Sequence, residues 1–168
     1  GDGQAGPITT QADNPLVALL VTGGGVPIVG TPISWSVVSG DAVLGSSTSN
    51  TDSAGLASVD FSFGPTAGTS IIRASTSSGT VFVDFQVTAY LPMLALQSGD
   101  GQSGPVNSLL DEDFVIAIAP PSTPLAKSLA GVDIQWQVIE GGGSLDATST
   151  ATDSNGIART RLRLGPNP

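Results

Sequence analysis

The chain contains no cysteine and no histidine. The lack of cysteine excludes disulfides, thiol nucleophiles and thiolate metal sites, and the lack of histidine excludes the usual Ser–His and Cys–His catalytic pairs, so we expect no enzyme. Basic residues are few, with five lysines and arginines against 14 aspartates and glutamates. The resulting net charge of −9 repels phosphate backbones and anionic membranes. We therefore expect no nucleic-acid partner.

Long apolar runs are also absent. The longest, such as residues 16–21, fall far short of the roughly 18 residues that a membrane-spanning helix needs, so we expect no membrane span in this stretch. No window has the mixture of residues that builds long helices, whereas glycine is abundant, with 22 residues. This composition favours short strands joined by many turns.

A sequence repeat organises the chain. The opening Gly-Asp-Gly-Gln-Ala-Gly-Pro recurs with one substitution at residues 99–105, which is 98 residues further on. The motifs Ile-x-Trp-x-Val, from residue 33, and Thr-Asp-Ser-x-Gly, from residue 51, recur 101 residues further on. We assign the three additional residues of the second copy to the proline-containing stretch 120–127, because loops accept insertions at little cost.

Within each copy, apolar residues alternate with polar ones, which is typical of strands with one solvated face. Residues 16–21 and 114–119 are instead continuously apolar, which predicts central strands covered on both faces. Several short strands with one tryptophan on a central strand of each copy predict an all-β fold of two tandem immunoglobulin-like sandwiches without disulfides. The predicted core residues are Ile33, Trp35 and Val37 in the first copy and Ile134, Trp136 and Val138 in the second.

We place the first domain at residues 1–90 and the second at residues 91–168. Aligning the two copies leaves the first domain without its first strand and the second without its last two strands. Flanking sequence or a neighbouring subunit would supply these strands, and the residues leave both alternatives open. Because no disulfide is available, we expect truncation of Trp35 or Trp136 to alanine to cost about 3–5 kcal/mol of stability.

The order of the motifs resembles the bacterial immunoglobulin-like domain of group 1, the repeated module of intimin- and invasin-type surface adhesins. One departure is the hairpin before the tryptophan strand, which is usually Asp-x-x-Gly-x-Pro but here reads Gly-Gly-Gly-Val-Pro at residues 23–27 and Pro-Pro-Ser-Thr-Pro at residues 120–124. The matched positions are Gly30, Ile33, Trp35, Val37, Thr51, Asp52, Gly55, Ala57 and Gly64, and Gly131, Ile134, Trp136, Val138, Thr152, Asp153, Gly156, Ala158 and Gly165.

The resemblance implies a non-enzymatic stalk of an extracellular adhesion protein on the bacterial cell surface. Its partners would be neighbouring immunoglobulin-like domains of the same chain or of adjacent subunits, with any host or cell-surface ligand bound elsewhere in the protein. Two alternatives are a self-assembling extracellular filament joined by strand donation and a carbohydrate-binding sandwich. The second alternative needs an exposed aromatic platform, and aromatic residues are few.

Four aspartates are weak candidates for a calcium site, because carboxylates spaced by turns suit that ion. Asp52 and Asp153 lie in the Thr-Asp-Ser-x-Gly motifs, and Asp2 and Asp100 lie in the Gly-Asp-Gly-Gln motifs. The interpretation that we favour needs no ion. An aspartate that accepts hydrogen bonds from its own backbone, followed by a glycine with positive φ, makes a turn with the same residues. We therefore expect no cofactor.

Two further charge clusters stand out. Arg159, Arg161 and Arg163 alternate along one predicted strand, where they would form a docking stripe for an acidic surface or, as we favour, protect a sheet edge. Residues 111–113 read Asp-Glu-Asp. Paired carboxylates hydrolyse glycosides only across a cleft, whereas adjacent strand residues point to opposite faces, so we interpret this cluster as solvated surface charge.

Overall fold

A computed structural model of the chain describes residues 1–119 and 129–166. Unit 1 comprises Gly1–Leu91 and unit 2 begins at Pro92, one residue beyond the predicted domain boundary. All regular structure in the described residues is β-strand, as predicted, and none of them forms a helix long and apolar enough to cross a membrane. The predicted insertion at 120–127 and the proline-rich turn at 120–124 lie outside the described residues.

Unit 1 has two layers of strands. One layer is a five-stranded sheet with the order β1-β9-β8-β3-β5, and the other consists of the pairs β2-β6 and β4-β7. The nine strands are β1 (Ala5–Pro7), β2 (Leu16–Leu19), β3 (Pro32–Ser39), β4 (Val43–Leu44), β5 (Thr48–Asn50), β6 (Leu56–Val59), β7 (Phe61–Ser62), β8 (Gly68–Thr76) and β9 (Phe82–Tyr90).

The core of unit 1 lies between these layers. Leu16 of β2 and Ile72 of β8 are completely buried, and Trp35 of β3 is 3% exposed. The Trp35 ring lies 5.8 Å from the ring of Phe85 on β9, centroid to centroid. Since the inward residues of both layers join one apolar cluster, unit 1 is a β-sandwich, as predicted.

The prediction that residues 16–21 form a strand covered on both faces is wrong. β2 pairs only with β6 among the described strands, and its residues alternate between buried and exposed. Val17 is 40% exposed and Leu19 is 59% exposed. The outward face of this strand consists of apolar side chains that are exposed to solvent. A continuous apolar run is therefore not sufficient evidence that both faces of a strand are covered.

Unit 2 repeats part of this arrangement. Its sheets are β10-β11-β15, β12-β14 and β13-β16, so β11 is central in its sheet, as predicted, although Phe114 to Ala117 are only half-buried. The seven strands are β10 (Met93–Ser98), β11 (Phe114–Ala119), β12 (Asp133–Gln135), β13 (Ser144–Leu145), β14 (Ser149–Ala151), β15 (Ile157–Thr160) and β16 (Leu162–Arg163).

The repeat is kept at the level of strand register. The pair Val43–Ser62 between β4 and β7 corresponds to Ser144–Arg163 between β13 and β16. The pair Leu16–Val59 between β2 and β6 corresponds to Phe114–Thr160 between β11 and β15. β10 covers the edge of β11 in unit 2, whereas no described strand covers the same edge of β2. The predicted absence of one and two strands in the respective domains stays a prediction.

The two tryptophans donate to hydroxyl groups at equivalent positions but differ in burial. The Nε1 of Trp35 donates to Ser49 Oγ at 2.8 Å, and the Nε1 of Trp136 donates to Thr150 Oγ1 at 2.7 Å. Trp35 belongs to a large buried cluster, whereas Trp136 is half-buried at the side of a core of four buried residues. Unit 2 has no described counterpart of β8 and β9, whose inward residues belong to the buried cluster that contains Trp35 in unit 1.

We predict that Trp35→Ala destabilises unit 1 by about 3–5 kcal/mol, because it opens a cavity in a closed core. Trp136→Ala will destabilise unit 2 by less, since part of the Trp136 side chain is already solvated. Chemical denaturation of the full chain, followed by far-ultraviolet circular dichroism, measures both losses, and the fluorescence of the remaining tryptophan identifies the transition of the unaltered unit. Equal losses for the two variants would contradict this ranking.

Candidate functional site

Gln4 and Gln102 perform the same structural task in the two Gly-Asp-Gly-Gln motifs. Gln4 Nε2 donates to the carbonyl oxygens of Gly1 and Asn14, at 2.7 and 2.9 Å, and Gln4 Oε1 accepts from the Asn14 N–H at 3.2 Å. Gln102 repeats these contacts with Gly99 and Glu112, at distances between 2.8 and 3.1 Å. Each glutamine side chain therefore bonds to both the N–H and the carbonyl group of one residue ten positions further along the chain.

Asp52 and Asp153 both close turns. Asp52 Oδ1 accepts from the N–H groups of Ala54 and Leu56 at 2.8 and 3.0 Å. Asp153 Oδ1 accepts from the equivalent N–H groups, of Asn155 and Ile157, at the same distances. The glycines that follow the two aspartates, at 55 and 156, have φ of 77° and 74°, a conformation that favours glycine. This is the geometry of the interpretation that needs no ion, in which the aspartate accepts hydrogen bonds from the backbone of its own turn.

The carboxylates of Asp2 and Asp100 accept hydrogen bonds from different kinds of donor. Asp2 Oδ1 accepts from the N–H of Gln86 on β9 at 2.7 Å, so it joins the start of unit 1 to its last strand. Asp100 Oδ1 accepts from the N–H of its neighbour Gly101 at 2.9 Å. Among the described residues, no group of three or more aspartate, glutamate, cysteine or histidine side chains is placed to hold a metal ion.

The three arginines do not lie on one strand. β15 ends at Thr160 and pairs with β11, whereas β16 begins at Leu162 and pairs with β13. Arg161 lies between them, and its Nε donates to Asp113 Oδ1 at 2.7 Å. Arg163 donates from Nη1 to the carbonyl oxygen of Asn107 at 2.9 Å. The predicted single stripe is thus divided because the chain changes sheets at Arg161, and two of its three charges are bonded within unit 2.

The three residues of the acidic cluster at 111–113 have different surroundings. Asp113 forms the ion pair with Arg161, and the backbone of Glu112 bonds to the Gln102 side chain. Both carboxylates at 111 and 112 belong to exposed residues. This arrangement provides no cleft with two facing carboxylates, which glycoside hydrolysis would need.

A cross-strand pair covers the outer face of β8 and β9. Arg73 donates from Nε and Nη2 to the two oxygens of Asp84, both at 2.7 Å, and its guanidinium lies 3.9 Å from the ring centroid of Phe82. The hydrogen bonds from Arg73 lower the pKa of Asp84, and the same bonds raise the pKa of Arg73. Burial raises the pKa of Tyr90, with a further increase from the charge of Asp13.

The chain is similar to several solved structures. No family model and no curated protein matches the chain. The structure is similar to the D0–D1 domains of intimin, at 19% identity and a TM-score of 0.47, over 99% of this chain and 83% of that one. It is also similar to invasin, described as a bacterial integrin-binding protein, at 14% identity and a TM-score of 0.44. The similar structures are of the type that the sequence motifs resemble.

A third similar structure is the C-terminal 282-residue fragment of intimin in complex with the intimin-binding domain of its translocated receptor, at 17% identity and a TM-score of 0.42. The chain spans 52% of that fragment and 32% of invasin. The likeness concerns the arrangement of strands, and the ligands in those descriptions belong to those proteins.

Sequence reasoning missed several of these contacts. The recurrence of glutamine at positions 4 and 102 was visible, but nothing in the motif showed that its amide would bond to a backbone ten residues away. The pairing of Arg161 with Asp113 spans 48 residues and has no local signal.

We predict that the full chain shows no heat of calcium binding up to millimolar calcium. Asp2, Asp52, Asp100 and Asp153 each already accept at least one backbone N–H, and they lie singly on exposed turns. Isothermal titration calorimetry measures this, with Asp52→Asn and Asp153→Asn as matched controls that lower the charge but keep an acceptor oxygen. A saturable heat that disappears in one of these variants would restore the calcium site.

We also predict an acid-sensitive contribution from Asp84 to the stability of unit 1. Since its pKa is lower in the folded state, the contribution is complete above the unfolded pKa of about 3.9 and is lost as pH falls through the folded value. The difference in melting temperature between the parent chain and Asp84→Asn should therefore shrink as pH is lowered from about 5 to 2. In an Arg73→Gln background the pH dependence should disappear, and its persistence would assign the effect to another carboxylate.

Proposed function

We propose that the chain is a non-enzymatic pair of immunoglobulin-like spacer domains from an extracellular adhesion protein of the bacterial surface. In this proposal the domains separate a binding head, located elsewhere in the protein, from the cell. One observation supports it above the others: the aspartate, glutamine and threonine side chains that recur in the motifs of both copies are bonded to the backbone of their own unit.

Recurrent polar residues are the positions where a ligand site present in both copies would be found. Gln4 and Gln102 bond to neighbouring loops, and Asp52 and Asp153 bond to their own turns. Thr51 and Thr152 extend the pattern. Thr51 Oγ1 accepts from Thr31 N–H and Thr152 Oγ1 from Val132 N–H, both at 2.9 Å. The repeat therefore preserves the means of folding, which is what a spacer requires.

The distribution of aromatic side chains does not favour the carbohydrate-binding alternative. Among the residues that the structure describes, Phe82 is the one largely exposed aromatic residue, and the Arg73 guanidinium covers its ring. Trp35 and Tyr90 are buried, and the Trp136 indole is half-buried with its N–H bonded. The described part of the chain therefore offers a sugar ring no open aromatic face of the size that stacking needs.

Strand donation between subunits has one observation in its favour. The edge of β2 carries no partner among the described strands on the side where β10 covers β11 in unit 2. Unpaired edges with exposed apolar residues such as Val17 and Leu19 accept further strands. A filament joined through this edge is the second candidate function.

Display of the chain on bacteria tests the spacer role. We expect cells that carry the chain on a membrane anchor to adhere to host cells no better than cells that carry the anchor alone. When an antibody fragment is fused beyond the chain, the cells should bind beads that carry its antigen. The matched control replaces the chain with a glycine–serine linker of the same length.

Two results would contradict the spacer proposal. Adhesion by the anchored chain without any head would show that it binds a ligand itself. End-to-end polymers of the purified chain in sedimentation velocity, lost when Val17 is replaced by lysine to charge the β2 edge, would favour the filament instead.

A further inference from the structure

The first and last strands of unit 1 lie side by side and run in the same direction. Ala5 of β1 pairs with Thr88 of β9, Gly6 with Ala89 and Pro7 with Tyr90. Every other strand pairing in the described residues is antiparallel. The parallel pair is therefore an exception in the sheet, and it joins the two ends of the unit.

This geometry decides how the pair responds to tension. The chain enters unit 1 before β1 and leaves it after β9, so a pull on the two ends draws β1 toward its N-terminus and β9 toward its C-terminus. The two strands are then displaced along their length in opposite directions, and their hydrogen bonds are loaded together. A pair opened from one end would instead lose its bonds one after another, at a lower force.

The contact extends beyond the three paired residues of β1. The N–H of Gly3 donates to Gln86 O, the N–H of Thr88 donates to Gln4 O, and the N–H of Ile8 donates to Tyr90 O, each at 2.9 Å. The carboxylate of Asp2 adds an acceptor for the Gln86 N–H at 2.7 Å. Bonds to β9 are thus distributed from Asp2, the second residue of the opening motif, to Ile8, the residue that follows it.

The opening segment also contacts residues other than those of β9. The Gln4 side chain donates to the Asn14 carbonyl oxygen and accepts from the Asn14 N–H. Gln4 is 8% exposed and Ala5 is 3% exposed. A Cβ at Gly6 would lie 2.1 Å from the Phe63 ring, so glycine allows β1 to lie directly on the core. Shielding from water protects the backbone bonds of this segment, because water cannot compete for them while the segment is in place.

We propose that residues 2–8 and β9 form a mechanical clamp that keeps unit 1 folded when its ends are pulled apart. The clamp would let the proposed spacer resist tension, and this purpose rests on the proposed spacer function. The resistance to force is a property of unit 1 alone. If the clamp proposal fails, the spacer proposal is still tested by the display experiment, which applies no force to the domain.

Single-molecule force spectroscopy of the full chain tests the clamp. The chain has no cysteine, so Leu91→Cys provides a unique attachment point just after β9, at an exposed residue. Pulling between the N-terminus and position 91 loads β1 against β9 along their length. Pulling between the N-terminus and Ser77→Cys, in the turn between β8 and β9, opens the same pair from one end.

We expect the rupture force of unit 1 to be about twofold or more higher with attachment at position 91 than at position 77, since bonds loaded together fail together. Equal forces in the two geometries would overturn the proposal. This comparison leaves every clamp residue unaltered, so it stands even where a clamp variant folds poorly.

A matched pair of variants locates the resistance. Asp2→Ala removes a bond between β9 and the opening segment, whereas Asp52→Ala removes two bonds in a turn outside the loaded pair. With attachment at position 91, Asp2→Ala should lower the rupture force and Asp52→Ala should lower the melting temperature without lowering that force. The proposal is overturned if both variants leave the rupture force unchanged or lower it equally.

Discussion

The packing of two strand layers against Trp35 is the interaction on which unit 1 depends. The chain has no disulfide to hold the layers together, so the buried faces of β2 and β6 must meet those of β3, β8 and β9 without a covalent link. The polar contacts follow from this packing. Once the layers close, the turn and loop backbones at their edges leave water, and the glutamine, threonine and aspartate side chains of the repeated motifs supply their hydrogen bonds.

The sequence predicted the parts of the fold that repeat. Strands around the tryptophan and after the Thr-Asp motif were predicted from alternation, and the offset of the motifs matches the register of the pairs β4-β7 and β13-β16. β1 was not predictable in this way, because Ala-Gly-Pro has no alternation and its partner β9 lies more than eighty residues away in the chain. The solvated outer face of β2 was missed because composition reports apolarity and not the presence of a covering layer.

The candidate site was predictable only in its residue types. Turn chemistry at Asp52 and Asp153 follows from the aspartate and the glycine three residues later, and both were visible in the sequence. The arginine stripe was misjudged because the period of two continues through residues 159–163 while the backbone moves from one sheet to another at Arg161. A local pattern cannot report such a transfer, which depends on the strands that pair on either side.

The ion pair between Arg161 and Asp113 has a consequence for how two similar domains fold in one chain. Identical register would allow β6 of unit 1 to pair with β11 of unit 2, a strand exchange to which tandem repeats are prone. The position equivalent to Arg161 in unit 1 is Asp60, and the position equivalent to Asp113 is Pro15. In an exchanged pair Asp60 would therefore face Asp113, like charge against like charge, while Arg161 would face an uncharged proline. We infer that this pair of opposite charges favours the pairing of β11 with β15 over the exchanged pairing.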